Sequence, residues 1–173
     1  MRILNNIFLI GPMGVGKTTI ARHLADELNM RFIDSDHEIE KQAGVTIPFI
    51  FELEGEIGFR QREQAIIAEL TAKSHIILST GGGVVLNVNN RRLLQNRGEV
   101  IYLHASVDDL LERTAHSHNR PLLKTKNPRK QLERLLKDRH SLYQAIANVT
   151  IETGGCSIRH VVTTVFKYLE NCN

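Results

Sequence analysis

A chain of 173 residues, 42% hydrophobic and 24% charged, is long enough for one domain with a sizeable core, and its ordinary balance excludes a disordered chain. The net charge of +3 is mild and comes without a block of like charges, so neither nucleic acid nor a membrane surface is an expected partner. No apolar run approaches the roughly 20 residues of a membrane span, and Cys156 and Cys172 are too few for a disulfide framework, so a cytoplasmic setting is expected.

The first predicted strand, NIFLI (6–10), runs into GPMGVGKTT (11–19). That stretch fits Gly-x-x-x-x-Gly-Lys-Thr through Gly11, Gly16, Lys17 and Thr18, and a predicted helix from Thr18 to Leu28 follows it, the context this phosphate-binding motif requires. Glycines let the backbone curl so that successive N–H groups and the helix N-terminus point at the α- and β-phosphates of ATP or GTP. Lys17 then places a point charge on the β/γ oxygens, and the Thr18 hydroxyl is a ligand for Mg2+. The second predicted strand, RFID (31–34), ends at Asp34, with Asp36 two residues further on. Ligands of open parallel sheets lie beyond the carboxyl ends of the strands, which makes Asp34 the best-placed carboxylate to hold a magnesium-bound water beside Thr18. In an extended stretch Asp36 points the same way as Asp34, where it accepts the proton of a substrate hydroxyl; the alternative is a cap on a helix starting at His37.

A helical segment from Glu56 to Lys73 places Ala65, Ile66, Ala68 and Leu70 at helical spacing and carries Arg60 in EGEIGFRQRE. The third strand, HIILS (75–79), leads into TGGGVV (80–85), whose Gly81, Gly82 and Gly83 read as a floor on which backbone approaches a polar substrate, or else as a tight turn with positive φ. The fourth strand, VIYLH (100–104), precedes a helix capped by Ser106 with Asp109. Arg120, in the polar stretch HSHNRPLL, reads as a flap arginine suited to charge on a migrating phosphoryl group. His116 and His118 beside it lack a third ligand and read as exposed polar residues. Asn127-Pro128 opens a helix carrying Arg139, the fifth strand is VTIE (149–152), and Ser157 caps a last helix with Val161, Val165 and Leu169 on one face. Strands alternating with helices, without repeats or linkers, predict a single α/β domain over 1–173 whose mostly parallel sheet is covered on both sides. The Asp-x-x-Gly and Asn-Lys-x-Asp motifs of GTPase switches do not occur, which disfavours a nucleotide switch.

NIFLIGPMGVGKTT, FIDSDHEIE, IFELEGEIGFRQRE, STGGG, RPLL and RHSLYQAIANVTIET, in this order and spacing, resemble the shikimate kinases over residues from about 5 to 170. The resemblance implies a three-layer P-loop NTPase fold with a five-stranded parallel sheet, substrate-binding helices at about 35–62 and a mobile lid at about 114–125. It implies transfer of the γ-phosphoryl of ATP to the 3-hydroxyl of shikimate by a monomer, with Mg2+ held by Thr18 and Asp34. It further implies that Gly14, Val15, Gly16, Lys17, Thr18 and Thr19 bind the phosphates, and that Arg113, Arg120 and the loop near Cys156 bind the rest of ATP. By the same resemblance, Arg60 and Arg139 are expected to clamp the shikimate carboxylate, Gly82 within the triple glycine to contact substrate through its backbone, and Asp36 to bind the hydroxyl and act as base. Glu63 matches an acid that helps hold Arg60, and Phe51 and Phe59 match aromatics that wall the pocket. A gluconate kinase on the same fold is the alternative, since that substrate also offers a carboxylate and hydroxyls; the triple glycine with GFRQRE favours shikimate.

Overall fold

The computed structural model describes residues 6–115 and 123–172. Strand β1 (Asn6–Ile10) is buried at every position, so it has no solvent face and must be covered by two layers. Ile7 and Leu9 point into one layer, Phe8 and Ile10 into the other. β2 (Arg31–Asp34), β3 (Ile76–Ser79), β4 (Glu99–His104) and β5 (Val149–Glu152) complete a sheet in the order β2-β3-β1-β4-β5, with every pairing parallel. Parallel pairing requires crossovers, and the helices that supply them form the two layers.

On one side lie α1 (Lys17–Leu28) and α7 (Ile158–Asn171), packing Ile20, Leu24, Val161 and Val165 against Ile7, Leu9 and Leu103. The other side holds α2 (Ser35–Ala43), α3 (Ile47–Thr71) and α4 (Val88–Arg97), which bury Ile39, Ile66, Ile67 and Leu94 against Phe8, Leu78 and Tyr102. α5 (Val107–Thr114) joins the first layer, and α6 (Pro128–Ile146) reaches both, through Leu132 and Tyr143. A fully buried side chain such as Leu24 contributes about 1.5–3 kcal/mol relative to an exposed one, so the two clusters carry the stability of the fold.

The predicted caps form. The Ser106, Asn127 and Ser157 side chains accept from the backbone N–H groups of Asp109, Lys130 and His160, and Pro128 opens α6. The expected helix from Glu56 is instead the second half of α3, which begins at Ile47 and kinks where Gly55 adopts φ 67°. Parallel strands and right-handed crossovers bring the loops after β1, β2 and β3 to one edge of the sheet.

Candidate active site

The loop between β1 and α1 curls as its glycines allow. Gly16 caps α1 at φ 100°, a conformation closed to most side chains, and it brings the N-terminus of α1 to the loop mouth. Lys17 is buried, and its Nζ donates to the carbonyls of Gly11 and Pro12 at 2.8 Å each, holding the ammonium across the loop. The Val15 side chain is buried in the core, and its N–H donates to the Pro12 carbonyl at 3.4 Å. A cleft of about 190 Å3 opens here, bounded by Gly14, Gly16, Lys17, Thr18 and Thr19 on one wall and by Asp34, Asp36, Gly81 and Gly82 on the other.

Thr18 Oγ1 donates to Asp34 Oδ2 at 2.7 Å and lies 3.2 Å from Ser79 Oγ, which ties the ends of β2 and β3 to the start of α1. Two hydroxyls and a carboxylate are hard oxygen donors, the set that suits a magnesium-like divalent cation. Among the described residues there is no group of three or more His, Cys, Asp or Glu able to hold a metal. A cation at Thr18 therefore needs phosphate and water oxygens to complete its shell.

The reading of Asp34 and Asp36 as an extended pair is overturned. α2 starts at Ser35, directly after β2, and its cap is Asp34, whose Oδ1 accepts from the His37 N–H at 3.1 Å. The alternative role proposed for Asp36 as cap falls with it. Asp36 sits in the first turn of α2, and it reaches the cleft because the helix start turns its side chain toward the loop after β3. A Cβ on Gly81 would stand 2.8 Å from Asp36 Oδ1 and 3.0 Å from Glu63 Oε2, so a side chain there would displace the Asp36 carboxylate and crowd that of Glu63.

The other two glycines meet the two arginines. Arg139 is buried in α6, and its Nη1 lies 3.8 Å from the place of a Gly82 Cβ. A Gly83 Cβ would stand 2.3 Å from Arg60 Nη2 and 2.4 Å from Nη1. None of the three adopts positive φ, so the positive-φ turn offered as the alternative is excluded; they form a turn in which the Gly81 carbonyl accepts from the Val84 N–H at 3.2 Å, and side-chain ends close on Gly81 and Gly83. Arg60 is held by Glu63 at 2.9 Å and Glu56 at 3.1 Å, with its guanidinium 5.1 Å from the Phe59 ring. Phe51 packs on Phe59 with ring centroids 4.9 Å apart. Burial pushes the Glu63 carboxyl above the usual carboxylate range, opposed by the charges of Arg60 and Arg139. Its Oε2 is buried with no hydrogen-bond partner among the described residues.

Further from the cleft, Arg113 donates to the Val15 carbonyl at 3.2 Å, to Thr153 Oγ1 at 3.2 Å and to the Thr153 carbonyl at 3.1 Å. It joins the phosphate loop to the loop after β5, where Cys156 is half-buried and its N–H donates to Thr153. Arg120, with His116 and His118 and most of the expected lid, lies outside the described residues.

Three contributors have no sequence motif. Ser79 touches Thr18, the buried Ser35 hydroxyl accepts from the Gly81 N–H at 3.2 Å, and the Tyr143 hydroxyl donates to the Gly82 carbonyl. Ser79 was findable as the last residue of a strand. Ser35 and Tyr143 act through contacts 46 and 61 residues away in sequence, which no local pattern reports.

A family profile described as shikimate kinase matches residues 13–170. A shikimate kinase from Methylococcus capsulatus is 54% identical over 170 residues, covering 98% of this chain and 95% of that protein. The structure of a shikimate kinase from Acinetobacter baumannii in complex with shikimate superposes with a TM-score of 0.97 at 47% identity, over 99% of this chain and 96% of that one. An Aquifex aeolicus shikimate kinase structure gives a TM-score of 0.83 at 33% identity, over 95% and 96% of the two chains. A gluconokinase from Sinorhizobium meliloti shares the fold at a TM-score of 0.61, with 17% identity over 99% of this chain and 95% of that one.

Proposed function

This chain belongs to the shikimate kinase family, and from that membership we propose how its own residues carry the reaction. The enzyme transfers the γ-phosphoryl group of ATP to the 3-hydroxyl of shikimate, giving shikimate 3-phosphate and ADP, a step toward chorismate and the aromatic amino acids. The observation that carries the assignment of roles is the triple glycine. Asp36, Arg139 and Arg60 meet Gly81, Gly82 and Gly83 in turn, beside the phosphate loop.

Arg60 and Arg139 take the planar carboxylate of shikimate, because guanidinium forks match that geometry. With the acid held there, the ring hydroxyls face Gly81 and Asp36. Asp36 orients the attacking hydroxyl and accepts its proton as the phosphoryl group moves. Glu63 Oε2, buried against Gly81, offers a further acceptor on this floor. The N–H groups of Gly14 to Thr19 and the Lys17 ammonium neutralise the phosphates, and Arg120 adds charge on the migrating group. Arg113 has Nη1 and Nη2 engaged by Val15 and Thr153, which leaves its flat face for stacking on adenine near Cys156. Thr18 and Asp34 are the residues to hold Mg2+, which when bound offsets phosphate charge. No helix among the described residues is long and apolar enough to cross a membrane; the reading places a monomer in the cytoplasm.

The direct test is incubation with ATP, Mg2+ and either shikimate or gluconate, followed by detection of the phosphorylated acid. Shikimate 3-phosphate is expected, and phosphorylation of gluconate alone would reject the assignment. Asp36→Asn should reduce kcat by at least about a hundredfold, the usual contribution of a positioned base, with ATP binding little changed. Unaltered turnover would remove Asp36 from the chemistry.

A further inference from the structure

Arg60 has two internal carboxylate partners, and they differ in kind. Glu63, with 1% of its side chain exposed, takes Nη1 through Oε1 at 2.9 Å. Glu56, with 47% of its side chain exposed, uses the single oxygen Oε1 to span Nε at 3.3 Å and Nη2 at 3.1 Å. The Nε–Nη2 edge is a fork that accepts a carboxylate through two parallel bonds of roughly 2.7–2.9 Å. One oxygen of Glu56 occupies it loosely. Gly83 packs within a side chain's reach of the guanidinium and the Phe59 ring lies 5.1 Å from it, so a ligand must approach by an edge rather than by a face.

We propose that Glu56 sets the affinity for the acid substrate, its carboxylate standing on the Arg60 fork that the substrate's carboxylate takes. The proposal rests on the reading of Arg60 as the carboxylate clamp. Glu63 is locked by burial and stays. Glu56, four residues before Arg60 on the solvent side of α3, can turn into water, and a bidentate substrate replaces its two long bonds with two short ones. Because the helix fixes its Cα, its negative charge stays on the Arg60 side of α3 and repels an incoming acid. The repulsion weakens binding of every anionic substrate and leaves a neutral one untouched. Glutamine at 56 keeps the side-chain oxygen that steadies Arg60 and removes only the charge.

Glu56→Gln in the full chain should lower KM for shikimate about threefold to tenfold, the size of the repulsion between two unit charges a few ångströms apart under water-like screening, with KM for ATP unmoved. The gain should shrink as salt rises toward 1 M, where the screening length falls to roughly 3 Å, and it should be smaller for binding of the carboxamide of shikimate, which meets Glu56 on the fork but carries no charge to be repelled. A KM for shikimate that rises or stays the same overturns the proposal, and so does an equal gain with the carboxamide. Arg60→Ala, measured alongside, separates the two layers of the argument. A large rise in KM for shikimate with Arg60→Ala and no gain with Glu56→Gln overturns the role of Glu56 alone. An unchanged KM with Arg60→Ala overturns the clamp and the proposal together.

Discussion

Gly83 has a φ of −96°, which any residue adopts, yet an alanine methyl there would stand 2.3 Å from Arg60 Nη2. The obstacle is the flexible end of a side chain, so the fold tolerates it while the clamp does not. Gly83→Ala should therefore raise KM for shikimate severalfold, leave KM for ATP unchanged and shift the thermal midpoint little; equal effects on both substrates would count against the assignment. Glu63 makes a prediction about pH. Burial raises its carboxyl above the ordinary value of 4.5, so the folded chain holds that proton more tightly than the unfolded one. Stability from this source is complete below pH 4.5 and is lost as pH climbs toward the raised value. Glu63→Gln should then compare progressively better with the parent protein in thermal midpoint as pH rises above 4.5. A midpoint difference independent of pH would show that Arg60 and Arg139 fully offset the burial.

At the scale of elements, α6 links Arg139 to the triple glycine. Arg139 and Tyr143 lie one turn apart on it, both buried, and the Tyr143 hydroxyl donates to the Gly82 carbonyl while its ring stacks on Tyr102 at 4.9 Å. Burial pushes that hydroxyl up to about 12, against the opposing pull of Arg139, so it stays a donor throughout the working range. Tyr143→Phe leaves a buried carbonyl unsatisfied, at a cost of about 1–3 kcal/mol measured by urea denaturation, and should raise KM for shikimate more than KM for ATP. The strands and the capped helices were legible because each answers to a local rule. NIFLI is apolar throughout since both faces are covered, and Ser106, Asn127 and Ser157 satisfy N–H groups three residues on. The start of α2 was not legible. Nothing in IDSDHE says whether the chain stays extended after Asp34 or turns at once into a helix, and the choice moved the cap from Asp36 to Asp34. The kink at Gly55 was hidden likewise, since an isolated glycine in a helical pattern reads equally as a tolerated interruption.

Over the whole molecule, two layers on a parallel sheet leave one edge where loops converge, and ligands bound there touch elements from both layers. ADP binds only the folded chain, so at about a hundred times its dissociation constant it should add ~2.7 kcal/mol of stability. For a chain of 173 residues that corresponds to a rise of about 5–10 °C in Tm by calorimetry. No rise at saturating ADP would mean that the phosphate loop does not take nucleotide. Phosphate binding could be foreseen from nine consecutive residues, because a curled glycine loop at a helix start makes its donors locally. Asp36 and the triple glycine could be suspected from their positions after strands, whereas Arg60 and Arg139 could be given a role only by resemblance. Asp36, Glu63, Arg60 and Arg139 stand on three helices and converge on Gly81, Gly82 and Gly83, an encounter made by crossover and packing between residues far apart in the chain. Short-range hydrogen bonding writes itself into neighbouring residues, whereas the room a glycine leaves for a distant arginine exists only after the layers have closed.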